Sequence, residues 1–239
     1  ANGEAVVTIK FVDNGGTEFG GQNTSIEKTF KITVNRVNDQ PSFKSGPDIT
    51  INEDESYTSA PDAWATDIIA GSDIEQTLQT LWFEVIESDA PEILPVANVD
   101  ITPEGVLSFT PLANKFGQVH LKIVLKDDGG VLNGGVDTSS EHVLTINISS
   151  VNDLPIAPDA TANTNEDTPV DITLLATDVD TSHLMYRVVG APTNGQVTFV
   201  ENGATYKPNQ DFFGTDTFTY VANDHFGDSN IATVTVTVN

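Results

Sequence analysis

The chain contains no cysteine among its 239 residues, which excludes a disulfide framework, thiol chemistry and a thiolate zinc site. Basic residues are scarce: 10 Lys and Arg stand against 35 Asp and Glu, a formal charge of −25. Such a surface repels phosphate backbones and anionic headgroups, which argues against nucleic acid and against membrane insertion as partners. No apolar run approaches the ~20 residues of a membrane span, and no signal peptide opens the chain. Also missing are a Gly-x-Ser-x-Gly elbow, a glycine loop ending in Lys-Ser or Lys-Thr, and any readable Ser, His and Asp triad. The abundant carboxylates sit in turns rather than as an opposed pair across a cleft, as a glycosidase requires. A non-enzymatic role is expected.

What the chain does hold is punctuation. Val37-Asn-Asp-Gln-Pro41 returns as Val151-Asn-Asp-Leu-Pro155, and Val238-Asn239 stands where a third copy would begin. Each copy follows an alternating apolar run, and each proline forbids that strand from continuing. The spacing, 114 residues from Val37 to Val151 and 87 from Val151 to Val238, suffices for two domains with cores of their own. The expected organisation is a closing hairpin of a truncated repeat over 1–38, a sandwich with insertions over 39–152, and a compact sandwich over 153–239.

Alternation at period two marks the strands. Val119, Leu121, Ile123 and Leu125 face one way, with Gln118, His120 and Lys122 between them. Leu81–Ile86, Val143–Ile148, Asp216–Val221 and Ile231–Val238 read as further strands, and Thr66–Gln79 as one helical turn at most. Six or seven short strands in the second unit fit a Greek-key, immunoglobulin-like β-sandwich. The fold class is therefore all-β, in tandem sandwiches. Residues 1–38 carry two strand-like runs, Ala5–Val12 and Lys28–Val34, around a Gly-rich loop that reappears from Asp127 to Ser139. A lone hairpin is marginal in water, so this segment is expected to be poorly ordered or to borrow a partner sheet.

Acidic residues recur at three equivalent places: the linker (Asn38 and Asp39; Asn152 and Asp153), the turn after an early strand (Asp67 and Asp73; Asp178 and Asp180), and the turn after the penultimate strand (Asp127; Asp224). In a sandwich these turns converge at one end. Two carboxylates ~5 Å apart repel by roughly 3 kcal/mol at an effective dielectric of 20, so such a cluster invites a cation. Calcium suits Asp, Asn and carbonyl oxygens in loose geometry, whereas the scattered histidines and missing cysteines disfavour zinc. The competing reading is that Asp simply favours turns.

These residues resemble the calcium-binding set of cadherin repeats. Ala176-Thr-Asp-Val-Asp180 resembles the "AxDxD" segment, Ala222-Asn-Asp224 the later "AxD" turn, and Val151-Asn-Asp-Leu-Pro155 a shortened linker. The ordered set of "NEDT", "ATDxD", "VNDxP" and the Gly-rich loop is closer still to cadherin-like, immunoglobulin-like tandem repeats of giant bacterial surface and secreted proteins. The resemblance implies Ca2+ held by Asn152, Asp153, Asp178, Asp180 and Asp224 with Glu53 from the preceding unit, and by Asn38, Asp39, Asp67, Asp73 and Asp127 at the first joint. The acidic "DRE" turn of cadherins is replaced by Thr110-Pro-Leu-Ala-Asn114 and Lys207-Pro-Asn-Gln-Asp211, which implies one or two ions per joint instead of three.

The function this implies is a calcium-stiffened stalk in an extracellular or cell-surface protein, its partners being neighbouring repeats and surface glycans or another cell-surface protein. The alternative is a polysaccharide-binding accessory module of an exported enzyme, with Trp64 and the insertion over 67–80 as the candidate surface. For Trp64 burial under a loop is the competing reading. Trp82, mid-strand, is expected in the core.

Overall fold

The computed structural model describes residues 2–200 and 203–239. It divides into two compact units, Ala1–Ser149 and Ser150–Asn239. The first runs through β1 (Gly3–Ile9), β2 (Lys28–Val34), β3 (Ser42–Lys44), β4 (Ile49–Asn52), β5 (Tyr57–Thr58), β6 (Thr66–Ile69), β7 (Leu81–Ser88), β8 (Val99–Ile101), β9 (Leu107–Phe109), β10 (Gly117–Asp127) and β11 (His142–Ser149). The second runs through β12 (Ala160–Thr164), β13 (Val170–Thr173), β14 (Met185–Gly190), β15 (Gly195–Val200), β16 (Gly203–Pro208), β17 (Gly214–Asn223) and β18 (Ala232–Val238).

The same two-layer plan is built in both units. A four-stranded sheet, β4-β11-β10-β7 or β12-β18-β17-β14, faces a three-stranded one, β5-β9-β8 or β13-β16-β15. In each four-stranded sheet the edge strand β4 or β12, the first of that sheet along the chain, pairs in parallel with β11 or β18, the last. Val119, Leu121, Ile123 and Leu125 of β10 are fully buried, as their alternation predicts, against Leu107 and Phe109 of the opposite sheet. In the second unit Phe218 and Tyr220 of β17, Val234 and Val236 of β18, and Tyr206 of β16 form the corresponding core.

Strands β3, β5, β6, β8 and β12 carry no long alternation and escaped the sequence reading. Ala160-Thr-Ala-Asn-Thr164, for example, is held by its parallel register with Val234–Val238 rather than by apolar patterning. The helical turn expected within Thr66–Gln79 is a 3₁₀ turn, Glu75–Thr77, following β6.

Both Asn-Glu-Asp segments turn through a left-handed aspartate, Asp54 (φ 62°) or Asp167 (φ 61°). Its carboxylate accepts the amide of Asn114 at 2.9 Å or of Asp211 at 3.2 Å. The repeated motif thus braces the loop before the penultimate strand.

Strands β1 and β2 pair from Gly3↔Val34 to Ile9↔Lys28. Among the described residues no third strand joins them, and every strand residue but Val7 is exposed. One core assignment is corrected. Trp82 points away from the core, on the outer face of β7, and is 40% exposed; Trp64 is 5% exposed and donates its indole N–H to the Pro47 carbonyl at 3.2 Å. Phe83, one residue on, takes the inward position, since neighbouring side chains on a strand face opposite ways.

Two buried phenols, Tyr206 and Tyr220, and the half-buried Tyr186 give the second unit an alkaline limit. Burial raises Tyr186 and pushes Tyr220 up to about 12, with Tyr186 and Asp159 adding to the latter. Burial, then the hydrogen bond and negative charge of Asp216, raises Tyr206 well above its ordinary range. Folded-state values above the unfolded ~10 leave stability flat below pH ~10 and lower it as pH climbs toward 12. The expected result is cooperative loss of β circular dichroism together with late, steep growth of tyrosinate absorbance above pH ~11. Smooth ionisation near pH ~10 with intact structure would contradict it.

Candidate metal centre at the linker end of each unit

The penultimate strand ends at the site. In the second unit β17 delivers Asp224, whose Oδ1 accepts the amides of Phe226 at 2.7 Å and Gly227 at 2.6 Å. Its Oδ2 accepts the side-chain amide of Asn152 at 2.7 Å. The next linker residue, Asp153, donates its backbone N–H to Oδ2 of Asp180 at 2.7 Å. Asp180 is placed by its own amide, which donates to Asp178 Oδ1 at 2.7 Å, an oxygen that also accepts Thr181 N–H at 2.9 Å. Asn152, Asp153, Asp178, Asp180 and Asp224 are thereby brought to one end of the unit. Burial works against charge at Asp224, but the donors Asn152, Gly227 and Phe226 outweigh it and hold the carboxyl below its ordinary range.

In the first unit β10 delivers Asp127, 3% exposed. Its Oδ1 accepts Gly129 N–H and the Asn38 side-chain amide, both at 2.8 Å. Asn38 also donates to the Val136 carbonyl at 2.7 Å and accepts from the Gln79 side chain, while its own carbonyl takes Val136 N–H at 3.1 Å. Asp39 N–H donates to Glu75 Oε1 at 3.1 Å, the bond Asp180 receives in the second unit.

Glu75 is the residue the sequence reading missed. It is 1% exposed, and Ser72 donates to its Oε2 through N–H and Oγ. Burial opposes its charge, but the bonds from Ser72 and Asp39 prevail and lower its pKa. The signal was available: Asp73-Ile-Glu75 echoes Asp178-Val-Asp180 one insertion later than the Ala65-Thr-Asp67 match. Asp67 and Asp73 are exposed; Asp67 lies in β6 with φ 50°. Glu53 is buried in the turn after β4, its amide donating to the Ser149 carbonyl at 2.9 Å.

Residues 152–237 match the family model of the bacterial Ig domain. Mouse Cadherin-23 EC22-24 is similar at 20% identity and a TM-score of 0.50, over 98% of this chain and 74% of that chain. The fold is that of cadherin-like, immunoglobulin-like repeats. Human CDH23 EC21-23 matches at 14% identity and a TM-score of 0.48, over 84% of this chain and 70% of that chain. No curated protein matches the sequence. Among the described residues no helix is long and apolar enough to cross a membrane.

The resemblance to cadherin repeats implies calcium, and the donors present bear on that ion. Among the described residues no three of the His, Asp and Glu side chains gather closely enough to hold a metal by themselves. Instead of facing one another, the carboxylates are spaced by amide donors, which offset much of the repulsion expected from sequence. Calcium also accepts Asn and backbone carbonyl oxygens, so it does not require three carboxylates. Asp178 Oδ2 and Asp127 Oδ2 are both buried oxygens that receive no hydrogen bond. An anionic oxygen removed from water without a donor is costly, and a hard cation is its natural complement. The residues fit the ion.

Proposed function

We propose that these repeats form a stalk segment of a large extracellular or cell-surface protein, in which calcium ties each linker to the sandwich it enters. The observation that carries this reading is the bonding of Asn152 to Asp224 and of Asp153 to Asp180, beside the donorless buried oxygen of Asp178. Asp178, Asp180 and Asp224, with Asn152 and Asp153 of the linker, would hold the ion in the second unit. Asp127, Asn38 and Asp39, with Glu75, would do so in the first. The ion supplies positive charge shared between linker and loop oxygens. The chain itself supplies the geometry: backbone amides fix Asp178 and Asp224, so the linker loses freedom when its own oxygens join theirs.

The partners in this reading are the neighbouring repeats of the same chain, with surface glycans or another cell-surface protein beyond them. Small-angle scattering tests the reading. In a millimolar-calcium buffer the chain is expected to be longer and less variable in end-to-end distance than after chelation. Superimposable scattering curves in the two conditions would reject calcium-dependent stiffening.

A further inference from the structure

Gln79 stands between the 3₁₀ turn Glu75–Thr77 and β7, fixed there by its backbone N–H, which donates to the Glu75 carbonyl at 2.9 Å. Its side-chain nitrogen donates to Asn38 Oδ1, while Asn38 Nδ2 donates to Asp127 Oδ1 at 2.8 Å. One carboxamide of the linker therefore ties Gln79 to Asp127. Both residues keep a second oxygen, Gln79 Oε1 and Asp127 Oδ2, that is buried and receives no hydrogen bond. Asp127 as a whole is 3% exposed. The surroundings are tight: Gly129 N–H donates to Asp127 Oδ1 at 2.8 Å, and a Cβ on Gly129 would collide with Asn38 Oδ1 and Gln79 Nε2. Bracing Asn38 uses only the nitrogen of the Gln79 amide. Its oxygen is buried without a donor at a cost that this bracing does not explain.

We propose that the side-chain oxygen of Gln79 is a ligand of the first unit's calcium, positioned through Asn38. The inference rests on the calcium reading above and adds to it a residue with no counterpart in the second unit, where Thr181-Ser-His-Leu184 leads from Asp180 into β14 without a carboxamide. Calcium takes carboxylate and carboxamide oxygens alike, so one ion answers Gln79 Oε1 and Asp127 Oδ2 together. Asp127, Asp39 and Glu75 supply one carboxylate fewer than Asp153, Asp178, Asp180 and Asp224. The Gln79 oxygen fills a coordination position there without adding charge.

The test follows the melting of the full chain by tryptophan fluorescence across a calcium titration and in chelator. Both tryptophans, Trp64 and Trp82, lie in the first unit, so the calcium dependence of this transition gives the affinity of the first site. Gln79→Met removes the oxygen and the nitrogen together and is expected to weaken that affinity about tenfold. Gln79→Glu keeps an oxygen but loses the donor to Asn38, and is expected to bind at least as tightly as the parent. Thr80→Glu, at an exposed position one residue on, measures what added charge does without ligation, and Gln79→Glu is expected to exceed it. Circular dichroism checks folding; should Gln79→Met not fold, the comparison of Gln79→Glu with Thr80→Glu decides alone. The proposal is overturned if Gln79→Met keeps the parent's affinity, or if Gln79→Glu loses as much as Gln79→Met, which would leave Gln79 as a brace for Asn38 only. A parent whose first unit gains nothing from calcium overturns the calcium reading of that unit and this proposal with it.

Discussion

Replacing Asp178 by asparagine is expected to weaken calcium binding by the second repeat about tenfold while leaving its fold intact. Asparagine keeps an oxygen where Oδ1 receives the amides of Asp180 and Thr181, so the turn survives. What disappears is the charge on the buried, donorless Oδ2. If this repeat binds calcium in the ~10⁻⁴ to 10⁻³ M range of extracellular modules, then ~10 mM calcium stabilises it by about 1.4–2.7 kcal/mol through mass action. A tenfold loss of affinity removes about half of that increment or more. In chelator the order is expected to invert, the variant melting at or above the parent, because an uncompensated charge has been removed. Calorimetric unfolding with calcium and with chelator decides the matter. A parent that gains nothing from calcium, or a variant that gains as much as the parent, would remove Asp178 from the site.

Gly105→Val is expected to destabilise the first unit on the order of 4 kcal/mol, the largest loss from any single surface-turn change proposed for this chain. Gly105 sits at φ 88°, where a β-branched residue is strained. Its Cβ would drive into the Ala65 carbonyl oxygen. The Gly105 carbonyl accepts both Trp64 N–H at 2.8 Å and Ala65 N–H at 3.0 Å, so the displaced turn also loosens the segment that buries Trp64. Both tryptophans lie in this unit and three of the four tyrosines in the other. Tryptophan fluorescence therefore reports this unit's melting, expected to fall by roughly 10–20 °C. A melting point within about 2 °C of the parent would show that the turn relaxes at little cost.

How much of the site was legible depends on which signal each residue left. Asp178, Asp180 and Asp224 stand in short, ordered motifs, and the fold gathers them with Asn152 and Asp153. Glu75 accepts the linker amide as Asp180 does, but from a 3₁₀ turn displaced by an insertion, so counting along the chain matched Asp67 and Asp73 instead. An insertion moves sequence register without moving the end of the sandwich to which its loop must return. Trp82 shows a different limit. Its strand is apolar on nearly every position, so alternation cannot say which face is inward, and the register with β10 chose Phe83.

Composition and periodicity determined by themselves that this chain is a string of β-sandwiches, because alternation, proline stops and turn residues are local properties that each strand carries alone. They determined equally that its surface is acidic and unsuited to nucleic acid. Only the tertiary structure decided which linker amides reach which carboxylates, which carboxylate oxygens are left without a donor, and which tryptophan faces water. Those are questions of distance between residues tens of positions apart, settled by how two sheets close over a core and not by any letter in the chain.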